Sequence, residues 1–477
     1  MSTKANLSAK DEKFRNFSLN DNMWKVVLYV GTPLALYQSL NQLFKIFDSM
    51  MAAHISANSV SAVAYLSQIN MMLSALGGGL AIGSSLKISE AYGAGSFSLV
   101  KQRVSSLFAM CALLGLGILL ILEPFAPQFL KLARTPESFI SEGILYFRLE
   151  LLGMVISFFN NVYIAIERAR GNSQRILKLN MGVIAIKLSL TALFVYVLGS
   201  GISMISVATI LSQSFLLCAA VINLNQKGNA FGFSIHSLSF KPSVIRPMIV
   251  LSIPVIIEKA AFSFGKVIIN SMSTIYSALT VGALGISNNI GGITTMPQNG
   301  FQEGGSAIIS QSMGAGKPKR ALKAFWCILV INVIIGFILM CLSLTFLSQI
   351  SDLFAGEDEE FAGMIASIYR FEAYGAIPLG INASVMALLY GFGKTKLTLT
   401  INFFRLFVFR IPVLWFLQNF THFGSLSVGI VMAVSNIATG IFSLSIGLFQ
   451  IRSICRRYDI SLPLPGRGLA QKQTWNT

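Results

Sequence analysis

Arg148-Leu-Glu150-Leu-Leu-Gly153 recurs in the second half of the chain as Arg370-Phe-Glu372-Ala-Tyr-Gly375. Outward from this stretch, at the same shift of about 222 residues, further uncommon residues coincide. Gly93-Ala94-Gly95 returns as Gly314-Ala315-Gly316, and Gly171 with Asn180 returns as Gly393 with Asn402. Pro33 matches Pro254, Lys45 matches Lys266, and after a one-residue slip Asp48-Ser-Met matches Asn270-Ser-Met. Two apolar halves match Leu and Val by chance, but rarely charges, glycines and prolines in order. The chain is therefore read as one unit written twice.

Composition says where that unit lives. Of 477 residues, 54% are hydrophobic and only 12% charged, with a mean hydropathy of +0.68. A soluble protein of this size needs a charged surface, so lipid must cover much of this one. The net charge of +17 would fit a nucleic-acid partner if it were spread over a soluble surface. Instead it is concentrated in the first 25 residues, Arg168 to Lys178, Lys317 to Lys323 and Arg452 to Lys472, while the opposite loops hold the acidic run Glu357 to Glu360. Loops retained on the cytoplasmic side are rich in Lys and Arg, so both termini are expected to be cytoplasmic in a multi-pass cell-membrane protein. The polar opening stretch predicts no cleavable signal. The five cysteines and three histidines have neither metal nor disulfide spacing, so no metal site is expected.

A helix needs roughly 20 apolar residues to cross the hydrocarbon core. Twelve such stretches lie near 25–52, 60–88, 103–125, 139–166, 177–198, 202–224, 248–276, 281–312, 322–348, 362–390, 397–419 and 426–451. The expected fold is an all-α integral membrane protein with twelve transmembrane helices in two pseudo-symmetric six-helix bundles. Its divisions are a tail (1–24), an N-terminal bundle (25–224), a cytoplasmic linker (225–247), a C-terminal bundle (248–452) and a second tail (453–477). Pro33, Gly77-Gly78-Gly79, Pro254, Gly291-Gly292 and Pro378 permit bends or close helix contact within the spans.

The residues resemble the multidrug and toxic compound extrusion (MATE) family. Pro33, Asn41 and Phe47-Asp48-Ser-Met look like that family's first helix. Ser89-Glu-Ala-Tyr-Gly-Ala-Gly95 and its counterpart Ser310-Gln-Ser-Met-Gly-Ala-Gly316-Lys-Pro look like the end of its second helix and the following loop. Arg168-Ala-Arg-Gly171-Asn and Phe409-Arg410-Ile-Pro412 also fit, so the resemblance covers nearly the whole chain. It implies a V-shaped pair of bundles that exports organic molecules by cation antiport. Gly314-Ala-Gly316-Lys317 is no phosphate-binding loop: Gln311 replaces its first glycine and Pro318 stands where Ser or Thr is required. No nucleotide, nucleic acid or cofactor is expected, and no enzymatic activity.

Ionisable groups in hydrocarbon are functional candidates by default. Those in predicted helices are Lys45, Asp48, Arg148, Glu150, Lys187, Glu258, Lys266, Glu303, Arg370 and Glu372. The resemblance associates a first-helix Asp with cation or proton coupling, and Asp48 matches it. A carboxyl group removed from water holds its proton more tightly, which suits a site that loads protons outside and releases them inside. The family's fifth helix carries Asn and then Asp four residues later, where this chain has Lys187 and Thr191. A cation in place of oxygen ligands disfavours sodium, so Lys187 is expected to pair with Asp48 in a proton-driven switch. Glu258 and Glu303 are the second candidates for proton relay or for binding a cationic drug. Lys45, Lys266, Asn180 and Thr191 are expected to line the cleft. There the lysines attract an anionic ligand, unless Glu150, Glu258 or Glu303 neutralises them. Arg148, Glu150, Arg370 and Glu372 are expected to form structural ion pairs.

The sequence thus points to a monomeric secondary active exporter of small organic compounds, surrounded by lipid and coupled to protons. The alternative in the same superfamily is a flippase or exporter of an anionic or lipid-linked substrate. A channel is disfavoured, because a pore needs rings of like groups about one axis.

Overall fold

The computed structural model describes residues 7–52, 57–132, 137–201, 203–226, 229–356 and 358–460; side chains at 45–52, 57–65, 67, 68, 137–139, 141, 142 and 278 fall outside that description. Every regular element among the described residues is helical. The first half runs α1 (Ala9–Asn20), α2 (Met23–Ala52), α3 (Ala57–Gly93), α4 (Phe97–Leu122), α5 (Ala126–Leu132), α6 (Glu137–Ala169), α7 (Ser173–Ala192) and α8 (Ser203–Leu224). The second runs α9 (Pro242–Ser273), α10 (Ala278–Gly314), α11 (Pro318–Thr345), α12 (Leu347–Ala355), α13 (Glu359–Ala373), α14 (Ala376–Gly391), α15 (Thr395–Phe407), α16 (Ile411–Phe420) and α17 (Leu426–Arg457).

Nine helical stretches among the described residues are long and apolar enough to span a bilayer, and the bent pair α13–α14 makes a tenth. The more polar α2 and α10 complete twelve. Their 30 and 37 residues reach about 45 and 55 Å at the α-helical rise. Gln38 and Gln42 of α2 and Asn299, Gln302 and Glu303 of α10 line cavities, while Ser287 and Gln298 bond within the second bundle. Each bundle then holds six spans: α2, α3, α4, α6, α7 and α8 in the first, and α9, α10, α11, α13–α14, α15–α16 and α17 in the second. The short α5 and α12 occupy equivalent places after the third span of each half.

The duplicated glycines have two physical reasons. Gly95, Gly171, Gly316 and Gly393 have φ of +77°, +76°, +68° and +68°, a conformation that disfavours a Cβ. Each ends a helix in the same way, with a backbone N–H just past the glycine returning to a carbonyl of the last turn: Ser96 to Ala91, Asn172 to Glu167, Lys317 to Ser312 and Lys394 to Leu389, at 2.7–3.0 Å. Gly93 and Gly314 instead permit close approach. A Cβ on Gly93 would collide with the carbonyl of Gln311, and one on Gly314 with the carbonyl of Glu90. The bundles therefore cross backbone to backbone on the face that carries most of the basic residues.

Two stretches read from the sequence as connections are built structure. Within the first tail, Ser8 caps α1 by accepting from the Asp11 N–H at 3.2 Å. Arg15 donates to the carbonyls of Tyr92 and Gly93 at 3.1 and 2.8 Å, and Arg170 pairs with Asp11 at 3.0 Å. On the other side Ser18 donates to Gln311 at 2.7 Å, while Lys317 and Arg320 donate to carbonyls of Leu19, Ser18 and Asp21. α1 is thus a clasp lying across both bundles on the basic face. In the linker, Phe231 is fully buried with its ring 5.0 Å from that of Tyr92. The main break in a span is a 48° bend between α13 and α14. It lies at Tyr374-Gly375, just before Pro378, where the side chain of Asn436 approaches within 2.5 Å of the position a Cβ on Gly375 would take.

Candidate functional site between the bundles

A cavity of about 570 Å³ lies between the two bundles, lined from α2, α3 and α6 on one side and from α9, α10, α14 and α15 on the other. On the basic face it is closed by helix crossings. α3 meets α9 where Gly83 lies on the backbone of Ser252 and where Ser84 and Ser252 are 3.3 Å apart. Farther out, the Gly93–Gly314 crossing and α1 complete the seal.

Glu258 is the most elaborately held acid in this cavity. It stands one turn beyond Pro254 on α9 and is almost fully buried. Tyr390 donates to its two carboxylate oxygens at 2.8 and 3.0 Å, Thr398 at 2.7 Å and Asn402 at 2.8 Å. A buried carboxyl surrounded by donors is satisfied in hydrogen-bonding terms, yet here it also borders a cavity that can hold water or ligand. Lys259 follows it and lines the same space.

Glu303 of α10 forms the second acidic locus. Arg168 of α6 pairs with it across the bundle boundary, and Gln38 of α2 donates to it at 3.3 Å. Arg168 is buried and Glu303 partly exposed to the cavity. This ion pair joins the two bundles at the cavity wall, so separating them on the basic face must break it.

A cationic cluster occupies the C-terminal bundle beyond Glu258. Arg405 and Lys266 lie over the Phe262 ring at 5.3 and 5.2 Å. Arg405 and Arg410 both donate to the Asn436 side-chain oxygen, at 3.1 and 3.0 Å, and Arg410 also donates to Ser435. Glu372 accepts from Ser287 and lies within electrostatic reach of Arg410, Lys266 and Arg405. Among the described residues no carboxylate oxygen comes within 4.0 Å of Lys259, Arg405 or Arg410.

The residues singled out in the sequence distribute as follows. Glu258 and Glu303 share the main cavity. Lys187 lines a second cavity of about 340 Å³ that shares Gln38 and Met296 with the first. The side chains of Lys45 and Asp48 lie outside the described residues. Asn180 donates to the Ile176 carbonyl of its own helix at 2.8 Å, and Thr191 is buried. Arg148 reaches Glu123 at 3.6 Å, Glu150 is half-buried and Arg370 is exposed. Arg168, Lys259, Tyr390, Thr398, Asn402 and Arg405 were not picked out as site residues. The repeat held a usable signal: Pro33 matching Pro254 aligns Gln38 with Lys259, a departure from symmetry inside a span.

A family model described as MatE matches residues 33–193 and 254–416. The chain is 22% identical over 410 residues to "Probable multidrug resistance protein YoeA" of Bacillus subtilis (strain 168), covering 84% of this chain and 88% of the relative. It is 21% identical over 398 residues to "Protein DETOXIFICATION 38" of Arabidopsis thaliana, covering 82% and 77%. Among solved structures, "Outward-facing conformation of a multidrug resistance MATE family transporter of the MOP superfamily" matches with TM-score 0.87 and 19% identity, over 94% of this chain and 99% of that one. A Pyrococcus furiosus structure described as "Reverse polarity of binding pocket suggests different function of a MOP superfamily transporter" matches equally, with TM-score 0.87 and 19% identity over 94% and 99%. At this identity the structural likeness establishes the fold.

Proposed function

We propose, from the premise that this chain belongs to the MatE family, that it exports small organic compounds by proton-coupled antiport with alternating access. The family and fold make it a multi-pass membrane transporter of the multidrug-efflux type. The finer reading rests on one observation: Glu258, a buried carboxyl held by three neutral donors, borders a cavity between two bundles that meet tightly on one face. With that face closed, a proton arriving from the opposite side neutralises Glu258 and weakens its hold on a cationic substrate, which leaves. Neutral sites let the bundles separate on the basic face, where proton loss and substrate binding reset the cycle. A cation and a proton compete for one carboxylate, and competition of that kind produces exchange.

The basic face is assigned to the cytoplasm by the positive-inside rule, which puts both termini there, and the working unit is taken to be the monomer. Lys187 and Asp48 form the N-terminal partner of this site in our reading, a lysine–carboxylate pair opened by protonation. The coupling ion is a proton, because a cavity bearing Lys187 offers sodium a poor ligand set.

Lys259 and Arg405 favour a second reading. If Glu258 is protonated, the cavity wall is positive and attracts an organic anion, including a lipid-linked one. The anion would then move with the proton, because each favours binding of the other.

Reconstituted vesicles separate the two readings. Probes sharing one aromatic ring but bearing a quaternary ammonium, no charge or a sulfonate are tested under imposed proton and sodium gradients. Outward ammonium flux driven by inward protons, and lost in Glu258→Gln, supports antiport. Sulfonate flux in the direction of the protons supports the second reading. Sodium-driven flux overturns both.

A further inference from the structure

On the basic face, away from the cleft, the start of α11 and the chain just past α17 enclose a separate pocket of about 440 Å³. Four cations line it, Lys317, Lys319, Arg320 and Lys323, with Tyr458 and Ile460 as its far wall and no acid lining it among the described residues. Two of the four already have work: Lys317 donates to the Leu19 carbonyl at 3.0 Å and Arg320 to the Asp21 carbonyl at 2.7 Å, holding the end of α1. Lys319 and Lys323 are exposed and, among the described residues, make no hydrogen bond or ion pair. Arg456 and Arg457, in the last turn of α17, are exposed and add to the field. So does the positive end of α11, which begins at Pro318. Asp21 beside Arg320 and the exposed Asp459 between the wall residues offset only part of this charge. The remaining like charges repel one another, and a bound anion relieves that repulsion.

Position identifies the anion's source. Helices α11 and α17 are each long and apolar enough to cross a bilayer, and the first starts at Pro318 while the second ends at Arg457. The pocket lies at these charged ends, where hydrocarbon gives way to headgroups. Tyr458 is an exposed aromatic at that level, as interfacial anchors are. Val330 and Ile334, two and three turns along α11 on the same face as Lys323, are exposed hydrophobics that acyl chains can cover. We propose that this pocket binds the phosphate of an acidic phospholipid headgroup on the leaflet of the basic face. The lipid's phosphate is held by Lys319 and Lys323 and shares Lys317 and Arg320 with the end of α1, so its binding supports the clasp that closes this face. A soluble phosphate would use the same cations but gain nothing from the apolar flank.

The test is lipid binding to the purified full chain in detergent by native mass spectrometry and fluorescence titration. The probes are phosphatidylglycerol, phosphatidylcholine and inorganic phosphate, with wild type compared to Lys319→Gln/Lys323→Gln. Both residues are exposed, and circular dichroism with melting checks that the variant folds. The expected result is at least tenfold tighter binding of phosphatidylglycerol than of phosphatidylcholine, weakened by salt. A loss of about tenfold or more is expected in the double variant. Equal binding of the two lipids overturns the proposal, as does undiminished phosphatidylglycerol binding in a folded double variant. Inorganic phosphate binding as tightly as phosphatidylglycerol overturns the lipid as the source. Transport need not be measured, so this test stands or falls apart from the antiport reading.

Discussion

Gly93 of α3 and Gly314 of α10 are pseudo-symmetric partners, each set against a backbone carbonyl of the other's helix: Gln311 for the first and Glu90 for the second. Two residues at equivalent places in the duplicated halves thus make one of the bundle contacts that close the basic face. A side chain at either one pushes the bundles apart where they must meet. Gly314→Val is expected to destabilise the closed form by about 1–3 kcal/mol through overpacking against a backbone that cannot yield. Spin-label distances between the basic-face ends of α3 and α10 would lengthen. Unchanged distances would show that the crossing does not hold the face shut.

Glu258→Gln keeps the size of the side chain but leaves one acceptor oxygen among the donors of Tyr390, Thr398 and Asn402. The variant is expected to fold and to lose proton-driven transport by tenfold or more. Its residual flux should depend less on pH than that of the wild type, because one titrating group is gone and only the proposed Lys187–Asp48 pair is left to respond. Transport assays over a range of external pH read this directly.

The Arg168–Glu303 pair is expected to matter as a pair. Arg168→Ala and Glu303→Ala each leave a partner without its counter-charge, so each should cost more than the double variant implies. Residues in direct contact commonly show coupling of about 0.5–3 kcal/mol. A double-mutant cycle on thermal stability that returns additive effects would remove the pair as a link between bundles.

α1 is expected to act as a closing element. Arg15→Ala removes two donors to the carbonyls of Tyr92 and Gly93, and Asp11→Asn breaks the ion pair with Arg170. Together they should raise the reactivity of a cysteine placed at Ser89, which is buried near the clasp, without abolishing folding. Unaltered reactivity would make α1 a passenger.

Much of the fold was legible because the repeat and the membrane constrain the same residues. The glycines at 95, 171, 316 and 393 end helices in a left-handed turn, so they recur at matching places. α1 was not legible. Its sequence is polar, and what orders it is docking across two bundles that a linear reading does not bring together. The cleft was half legible. Glu258 and Glu303 stand out as acids in apolar helices, but their partners Tyr390, Thr398 and Asn402 are ordinary residues until the fold converges them. The repeat also misled. Asn180 and Asn402 align, yet Asn402 reaches Glu258 whereas Asn180 bonds its own helix. The position equivalent to Glu258 in the first half is Tyr37, so no carboxylate stands there to receive an amide. The cationic lining was written in the same departures, where Gln38 and Val183 align with Lys259 and Arg405.

Proton movement during substrate flux tests the function most directly. Vesicles holding the protein and an entrapped pH indicator are given an outward gradient of the ammonium-bearing aromatic probe, with no proton or sodium gradient imposed. Protons should enter as the probe leaves, in fixed proportion, and Glu258→Gln should abolish that entry. Probe leaving with no change in internal pH, or protons leaving alongside it, would contradict exchange at Glu258.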